Sequence, residues 1–199
     1  MRLISSTLKC HLATGVFRAF AFALGALALC QMLAQVSPAQ SGGQNGPKSA
    51  PKENASEIVP ANSRMAAPEL SLSDLRGKQL TLSNYRGKVV LLDFWAVDCG
   101  GCVIEVPWYV EFDQKYRNKG LVVIGIDMYG ETPNYIFPFM AKQHMEYQVA
   151  VGNDGIRQKF HAEELPKTLL IDREGRIAVS HVGIVNKAGF ERDIQKLLQ

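Results

Sequence analysis

Of the four cysteines in this 199-residue chain, Cys99 and Cys102 are separated only by Gly100 and Gly101, a Cys-x-x-Cys spacing. Two thiols so placed can cycle between dithiol and disulfide, one attacking a partner's disulfide and the other resolving the mixed disulfide that results. A structural zinc site would need two more ligands, and the sequence has no second Cys-x-x-Cys and no His-x3-His; His144, His161 and His181 are isolated from one another. A purely structural staple is disfavoured as well, because closing so small a loop removes little entropy from the unfolded chain. The spacing therefore points to redox chemistry with no metal and no cofactor beyond the Cys99–Cys102 disulfide itself. Cys99 is the candidate nucleophile and Cys102 the resolving thiol.

That chemistry needs a particular local frame. Residues 89–95 (Val-Val-Leu-Leu-Asp-Phe-Trp) are apolar on both faces, as expected of a central strand covered on each side. From 102 to 117, Val103, Val106, Tyr109 and Val110 recur at helical spacing, with Pro107 expected to kink the helix. A cysteine between a buried strand and a helix start meets unpaired backbone N–H groups and the positive end of the helix dipole. Its pKa can then fall from about 8.5 to as low as ~3.5.

The remaining segments supply the sheet and its cover. Two short alternating stretches within 70–82, split by Arg76-Gly77-Lys78, predict a hairpin, and Arg86-Gly87-Lys88 a further turn. A second buried strand is predicted over 121–126, a helix over 132–142 broken at Pro138, and a short helix over 154–160 with Asp154 near its start. Strands over 168–171 and 177–182 flank a turn at Asp172-Arg173-Glu174-Gly175, and a helix over 187–198 closes the chain. The order implies an α/β thioredoxin fold: a mixed central sheet, parallel at its centre, with helices on both faces and an added N-terminal β-hairpin.

Residues 1–39 have a different character. Arg2, Lys9 and Arg18 precede an apolar stretch over 19–34, with no acid in between, which is the polarity of an export signal. The stretch is shorter than the roughly 20 residues of a membrane-spanning helix. Ser37-Pro38-Ala39 supplies the small residues of a cleavage site, so 1–39 reads as a signal peptide or, if retained, a membrane anchor. Residues 40–65 lack aromatics and apolar periodicity and read as a flexible linker, leaving 66–199 as the folded domain. This places the domain in the periplasm or another extracytoplasmic space. The net charge of +3 is scattered and gives no nucleic-acid footprint.

The stretch from Arg86 to Ala96, then Cys99-Gly100-Gly101-Cys102, Glu105-Val106-Pro107 and 165–172 (Leu-Pro-Lys-Thr-Leu-Leu-Ile-Asp) resembles the TlpA/ResA/CcmG-type exported thioredoxins. The resemblance spans about 67–199. It implies a cis-proline at Pro166 and a backbone contact to the partner peptide at Leu165; Trp95 is expected to pack at the core and rim of the site, within reach of the substrate. It also implies a disulfide-containing protein substrate, in cytochrome c maturation or copper-site thiol reduction, and a membrane thiol as electron donor.

Several residues depart from the family pattern. Asp93 stands where many members carry Asn, and as a buried acid it would take the proton of Cys102. Asp98, where Trp is common, would cap the helix while opposing the Cys99 thiolate. Gly100-Gly101 replaces a proline-containing dipeptide. Glu105 is either a carboxylate near the site or part of a solvated helix face, and Glu131 aligns only loosely with a tuning glutamate. Lys167, where Thr is usual, either supplies positive charge or points to solvent. The acids and the glycine spacer favour a disulfide reductant. Two other readings share the fold. One is a Cu(I) metallochaperone using Cys99, Cys102 and His181. The other is a peroxiredoxin-like peroxidase, which needs a threonine where Ala96 stands.

Overall fold

The structure is a computed structural model that describes residues 58–199. The expected leader and the linker as far as residue 57 lie outside the described residues. From residue 58 onward the expected linker proves to be part of the fold. Val59 N–H donates to Ala178 O, Ile177 N–H donates to Met65 O, and Ala66 bridges Arg176. Arg64 pairs with the buried Asp172 carboxylate at 3.1 Å. The segment has few apolar residues, so backbone pairing and one ion pair fix it, and hydrophobic periodicity could not reveal that.

A hairpin of β1 (Ser71–Ser73) and β2 (Gln79–Thr81) turns at Gly77, whose φ of 80° suits a residue without Cβ. Then follow β3 (Val89–Trp95), α1 (Gly100–Tyr116), β4 (Leu121–Asp127), α2 (Pro133–Gln143), β5 (Gln148–Val151), α3 (Asp154–Phe160), β6 (Lys167–Ile171), β7 (Ile177–Val182) and α4 (Lys187–Leu198). The sheet order is β5-β4-β3-β6-β7, with β3–β4 and β4–β5 parallel and β3–β6 and β6–β7 antiparallel.

One strand was not expected, and two local expectations need correction. β5 has only four residues and begins on a glutamine, too short to show a period, yet it forms the parallel edge of the sheet. The hairpin covers that edge, with Leu75 N–H donating to Val149 O and Asp74 bridging Ala150. The second helix is not broken at Pro138 but continues to Gln143. The first helix begins two residues before the expected Cys102, because Cys99 itself caps it.

Strand alternation divides the interior into two cores. Val89, Leu91 and Trp95 pack with Val106, Tyr109 and Phe112 of α1 and with Phe190 and Ile194 of α4, in the cluster that contains both cysteines. Val90, Leu92 and Phe94 face the other way, onto Leu70 and Leu80 of the hairpin segment and Ile156 and Phe160 of α3. β3 is buried along its whole length, as its two-sided apolar sequence requires.

Trp95 also constrains its neighbour strand. A Cβ added at Gly125 on β4 would lie 2.8 Å from Trp95 Nε1 and 3.4 Å from Tyr147 and Val149 atoms. Gly125→Ala is therefore expected to cost about 1–3 kcal/mol by overpacking. Urea unfolding should show a lower midpoint at unchanged m-value, and an unchanged midpoint would contradict this packing.

Candidate active site

Cys99 and Cys102 are joined in a disulfide, Sγ–Sγ 2.01 Å. Cys99 is the N-cap of α1, its Sγ accepting the Cys102 N–H at 3.2 Å, while Val103 N–H donates to Cys99 O. Cys99 is 9 % exposed and Cys102 1 %. An incoming sulfur thus reaches Cys99, at the positive end of a 17-residue helix, and Cys102 stays behind it. The capping position expected for Asp98 is taken by Cys99. Asp98 is exposed, and its carboxylate accepts from Tyr135 Oη at 3.1 and 3.2 Å.

Behind the pair the structure buries two carboxyl groups. Asp93 lies on the β3 face that packs with the cysteines, and its Oδ1 has no hydrogen-bond partner. Burial, and next the charge of Glu105, hold its pKa well above the ordinary carboxylate range. Glu105 is also buried and so does not belong to a solvated helix face. Its Oε1 accepts from Val185 N–H at 2.6 Å, and its Oε2 has no partner. Burial raises its pKa, offset in part by hydrogen bonds from Val185 N–H and Tyr109. Tyr109 Oη lies 2.8 Å from Thr168 Oγ1, and Thr168 sits opposite Asp93 across the β3–β6 ladder. Tyr109 and Thr168 escaped the sequence reading. The available signal was Tyr109 four residues beyond Glu105, hence on the same helix face.

A third acid, given little weight from sequence, stands on the nucleophile's side. Glu131 Oε2 accepts from Val97 N–H at 3.2 Å, in the segment leading into Cys99. Glu131 N–H in turn donates to Asp127 Oδ2 at 2.9 Å. Burial, followed by the contact with Asp127 and the charges of Asp127 and Asp98, pushes Glu131 up to about 7.

The peptide between Leu165 and Pro166 is cis. Pro166 is buried, Leu165 is half-buried, and Gly183 N–H donates to Pro166 O at 2.8 Å. A Cβ added at Gly101 would meet Pro166 Cδ at 2.9 Å and Ile184 Cγ1 at 3.4 Å, whereas one at Gly100 would meet nothing within 4 Å. Gly101 is thus required by close approach to the proline ring, not by backbone freedom alone.

Two sequence assignments change: Trp95 packs in the cysteines' core cluster but not at a rim, and Lys167 leaves the site. Trp95 is completely buried and stacked on Phe139 at 5.1 Å, so it offers no surface to a partner. It fills the core because it is the last residue of a strand covered on both faces. Lys167 pairs with Phe94 across the ladder and therefore points to the opposite sheet face, buried and beside Ser180 at 3.4 Å. Strand alternation puts it neither in solvent nor beside the cysteines. His181, opposite Thr168 on β7, influences Glu105 through its charge.

Comparison with known proteins agrees with this geometry. The AhpC/TSA family pattern matches residues 64–180. The thiol-disulfide oxidoreductase ResA of Bacillus thuringiensis subsp. konkukian is 31 % identical over 132 residues, 66 % of this chain and 76 % of that protein. A Chlorobium tepidum structure described as a thiol:disulfide interchange protein DsbE superposes with a TM-score of 0.64 at 32 % identity, covering 68 % of this chain and 97 % of that one. A second C. tepidum structure, a thiol:disulfide interchange protein of the thioredoxin family, has TM-score 0.62 at 24 % identity over 68 % and 97 % of the two chains, a likeness of fold.

Two measurements follow from the site. A carboxyl whose pKa is higher in the folded than in the unfolded chain binds more protons when native. Its stabilising contribution is full below the ordinary value, 3.8 for Asp93, and is lost as pH rises through the raised one. Asp93→Asn should accordingly become more stable relative to wild type as pH is raised from about 4 to 8, with the two converging in acid. Parallel stability profiles in urea would contradict the burial of this carboxyl. At the glycines, Gly101→Ala should destabilise by about 1–3 kcal/mol through the Pro166 contact. Gly100→Ala should be neutral or stabilising by up to about 1 kcal/mol, and equal thermal shifts for the two would refute the contact.

Proposed function

This chain belongs to the AhpC/TSA family and, within it, with the ResA-type thiol-disulfide oxidoreductases, and on that premise we propose that it reduces protein disulfides outside the cytoplasm. The observation that carries the reductive direction is the set of acids around the pair. Asp98 precedes Cys99, Glu131 holds the Val97 N–H, and Asp93 and Glu105 lie buried behind. The charge of Asp98, and of Glu131 where it is ionised, opposes the thiolate that the helix dipole favours. Asp93 and Glu105, held toward their neutral forms, leave the pair backed by buried carboxyls. A less stable thiolate makes the dithiol a better electron donor, the reverse of oxidants whose reduced form is stabilised.

The proposed cycle starts from the dithiol. The Cys99 thiolate attacks one sulfur of the substrate disulfide, forming a mixed disulfide and expelling a substrate thiolate. Asp93, in its carboxylate form, takes the proton of Cys102. The Cys102 thiolate attacks Cys99 Sγ, closes the Cys99–Cys102 disulfide and expels the second substrate thiolate. Two electrons pass from the pair to the substrate, and a membrane thiol donor restores the dithiol by the same exchange in reverse. Leu165 and Pro166 receive the substrate backbone next to Cys99. The exposed Ile184, beside Gly101 of the spacer, suits a protein partner rather than a small polar thiol. The substrates are proposed to be cysteine pairs awaiting cytochrome c maturation or copper loading.

The location rests on the export-like leader read from the sequence. Among the described residues no helix is long and apolar enough to cross a membrane. The copper reading lacks a third ligand, since among the described residues no three His, Cys, Asp or Glu groups converge as a metal cradle. The peroxidase reading lacks its hydroxyl, the required position being the buried Ala96.

The direction is tested by equilibrating the pair with glutathione: a potential at or below about −200 mV is expected, and one near the roughly −120 mV of DsbA would overturn the reductant reading. Cys102→Ser should arrest the mixed disulfide on Cys99 and retain substrate proteins that Cys99→Ser does not retain. Equal retention by both would overturn the role assignment.

A further inference from the structure

On the sheet face away from the cysteines, a groove of about 380 Å³ opens between the N-terminal arm and the β6–β7 hairpin. That volume falls in the ~300–1,000 Å³ range of small-molecule sites. Phe160, Leu169 and Ile177 line it from the domain, and Val59, Met65 and Pro68 line it from the arm. Met65 is 76 % exposed there. The polar side chains of the lining are Ser63, Ser180, Lys159, His161 and Lys167, with no carboxylate among them.

Lys167 gives the groove its chemistry. The residue is 6 % exposed, and its Nζ reaches Ser180 Oγ at 3.4 Å, a long contact for a charged donor. An ammonium withdrawn from water needs an anion for compensation. The acid that acts on it, Glu163, is exposed and offsets burial incompletely, so the Lys167 pKa stays below its ordinary value. Lys159 is turned toward Glu69 O at 3.2 Å and does not compete for the same position. A neutral apolar ligand would leave the Lys167 ammonium uncompensated. A small inorganic anion would leave the apolar wall in water.

We propose that this groove binds a linear monocarboxylate of fatty-acid type, its carboxylate paired with Lys167 and its methylene chain against Met65, Phe160, Leu169 and Ile177. The site is independent of the redox reading, because residues of β6 alternate between the two faces of the sheet and the groove lies on the face opposite the cysteines.

The test is calorimetric titration of the oxidised full chain with decanoate below its critical micelle concentration, beside the uncharged 1-decanol. Saturable decanoate binding is expected, with affinity falling roughly ten- to a hundred-fold in Lys167→Met, the loss of one charge-assisted hydrogen bond. Ala66→Phe, which fills the groove from the arm, should abolish it, and Lys142→Met on α2 should leave it unchanged. The proposal is overturned if decanoate does not bind the wild-type chain, if 1-decanol binds as tightly, or if Lys167→Met binds decanoate as the wild type does. Should near-UV circular dichroism show that Lys167→Met is not folded, undiminished binding to Ala66→Phe overturns it instead.

Discussion

Everything at the redox centre depends on Cys99 acting as the N-cap of α1 directly beyond the buried end of β3. A conventional Ser or Asp cap would satisfy the same N–H through oxygen. Here the sulfur that accepts the Cys102 N–H is also the atom that must exchange electrons. Formation of the mixed disulfide therefore alters the cap itself, at the one point where the helix meets the strand. The all-apolar β3 makes this tolerable, since its seven buried residues hold the strand end in place whatever the cap does.

Two opposing fields meet at that sulfur. The helix N-terminus favours an anion by 0.3–1 kcal/mol when exposed and up to about 2 when partly buried, which is roughly one pKa unit. A carboxylate near a thiol acts in the other direction and raises its pKa. The acids therefore oppose the helix, but only while ionised. Asp93 and Glu105 are held toward their neutral forms by burial, and Glu131 sits near neutrality. Acids with raised pKa values are strong bases once ionised, so the Asp93 carboxylate that forms can take the Cys102 proton and return to its neutral form without a permanent anion beneath the pair.

The sequence made the frame legible where chemistry and periodicity coincide. The run 89–95 and the Cys-x-x-Cys beyond its end read directly, because each is a local pattern with a local cause, whereas the cis step at Leu165-Pro166 followed only from the family resemblance. What escaped is non-local. β5 is recognisable only by its pairing with β4, and the order of residues 58–65 only by Arg64 meeting Asp172, 108 positions away. Glu105 shares a helix face with Tyr109, four residues on, but its partner was not legible, since the Val185 N–H arrives from a loop 80 residues on. Lys167 was misplaced, and Trp95 was expected at the rim as well as in the core it fills, for a related reason. Proximity in sequence to Cys99 or Pro166 suggested proximity to the site, while burial and alternation decided otherwise.

That alternation has a consequence for how much one strand can do. Pro166, Lys167 and Thr168 are consecutive, yet Pro166 closes on Gly101, Lys167 faces the apolar groove, and Thr168 meets Tyr109 in the network of buried acids. A rigid strand of period two can serve two surfaces at once without crowding either. It also couples them, because β6 cannot shift along the ladder without moving the proline ring against Gly101 and the lysine within the groove together. Small displacements at one face are thus resisted by packing at the other. This keeps the Gly101–Pro166 contact tight even though the spacer between the cysteines is two glycines.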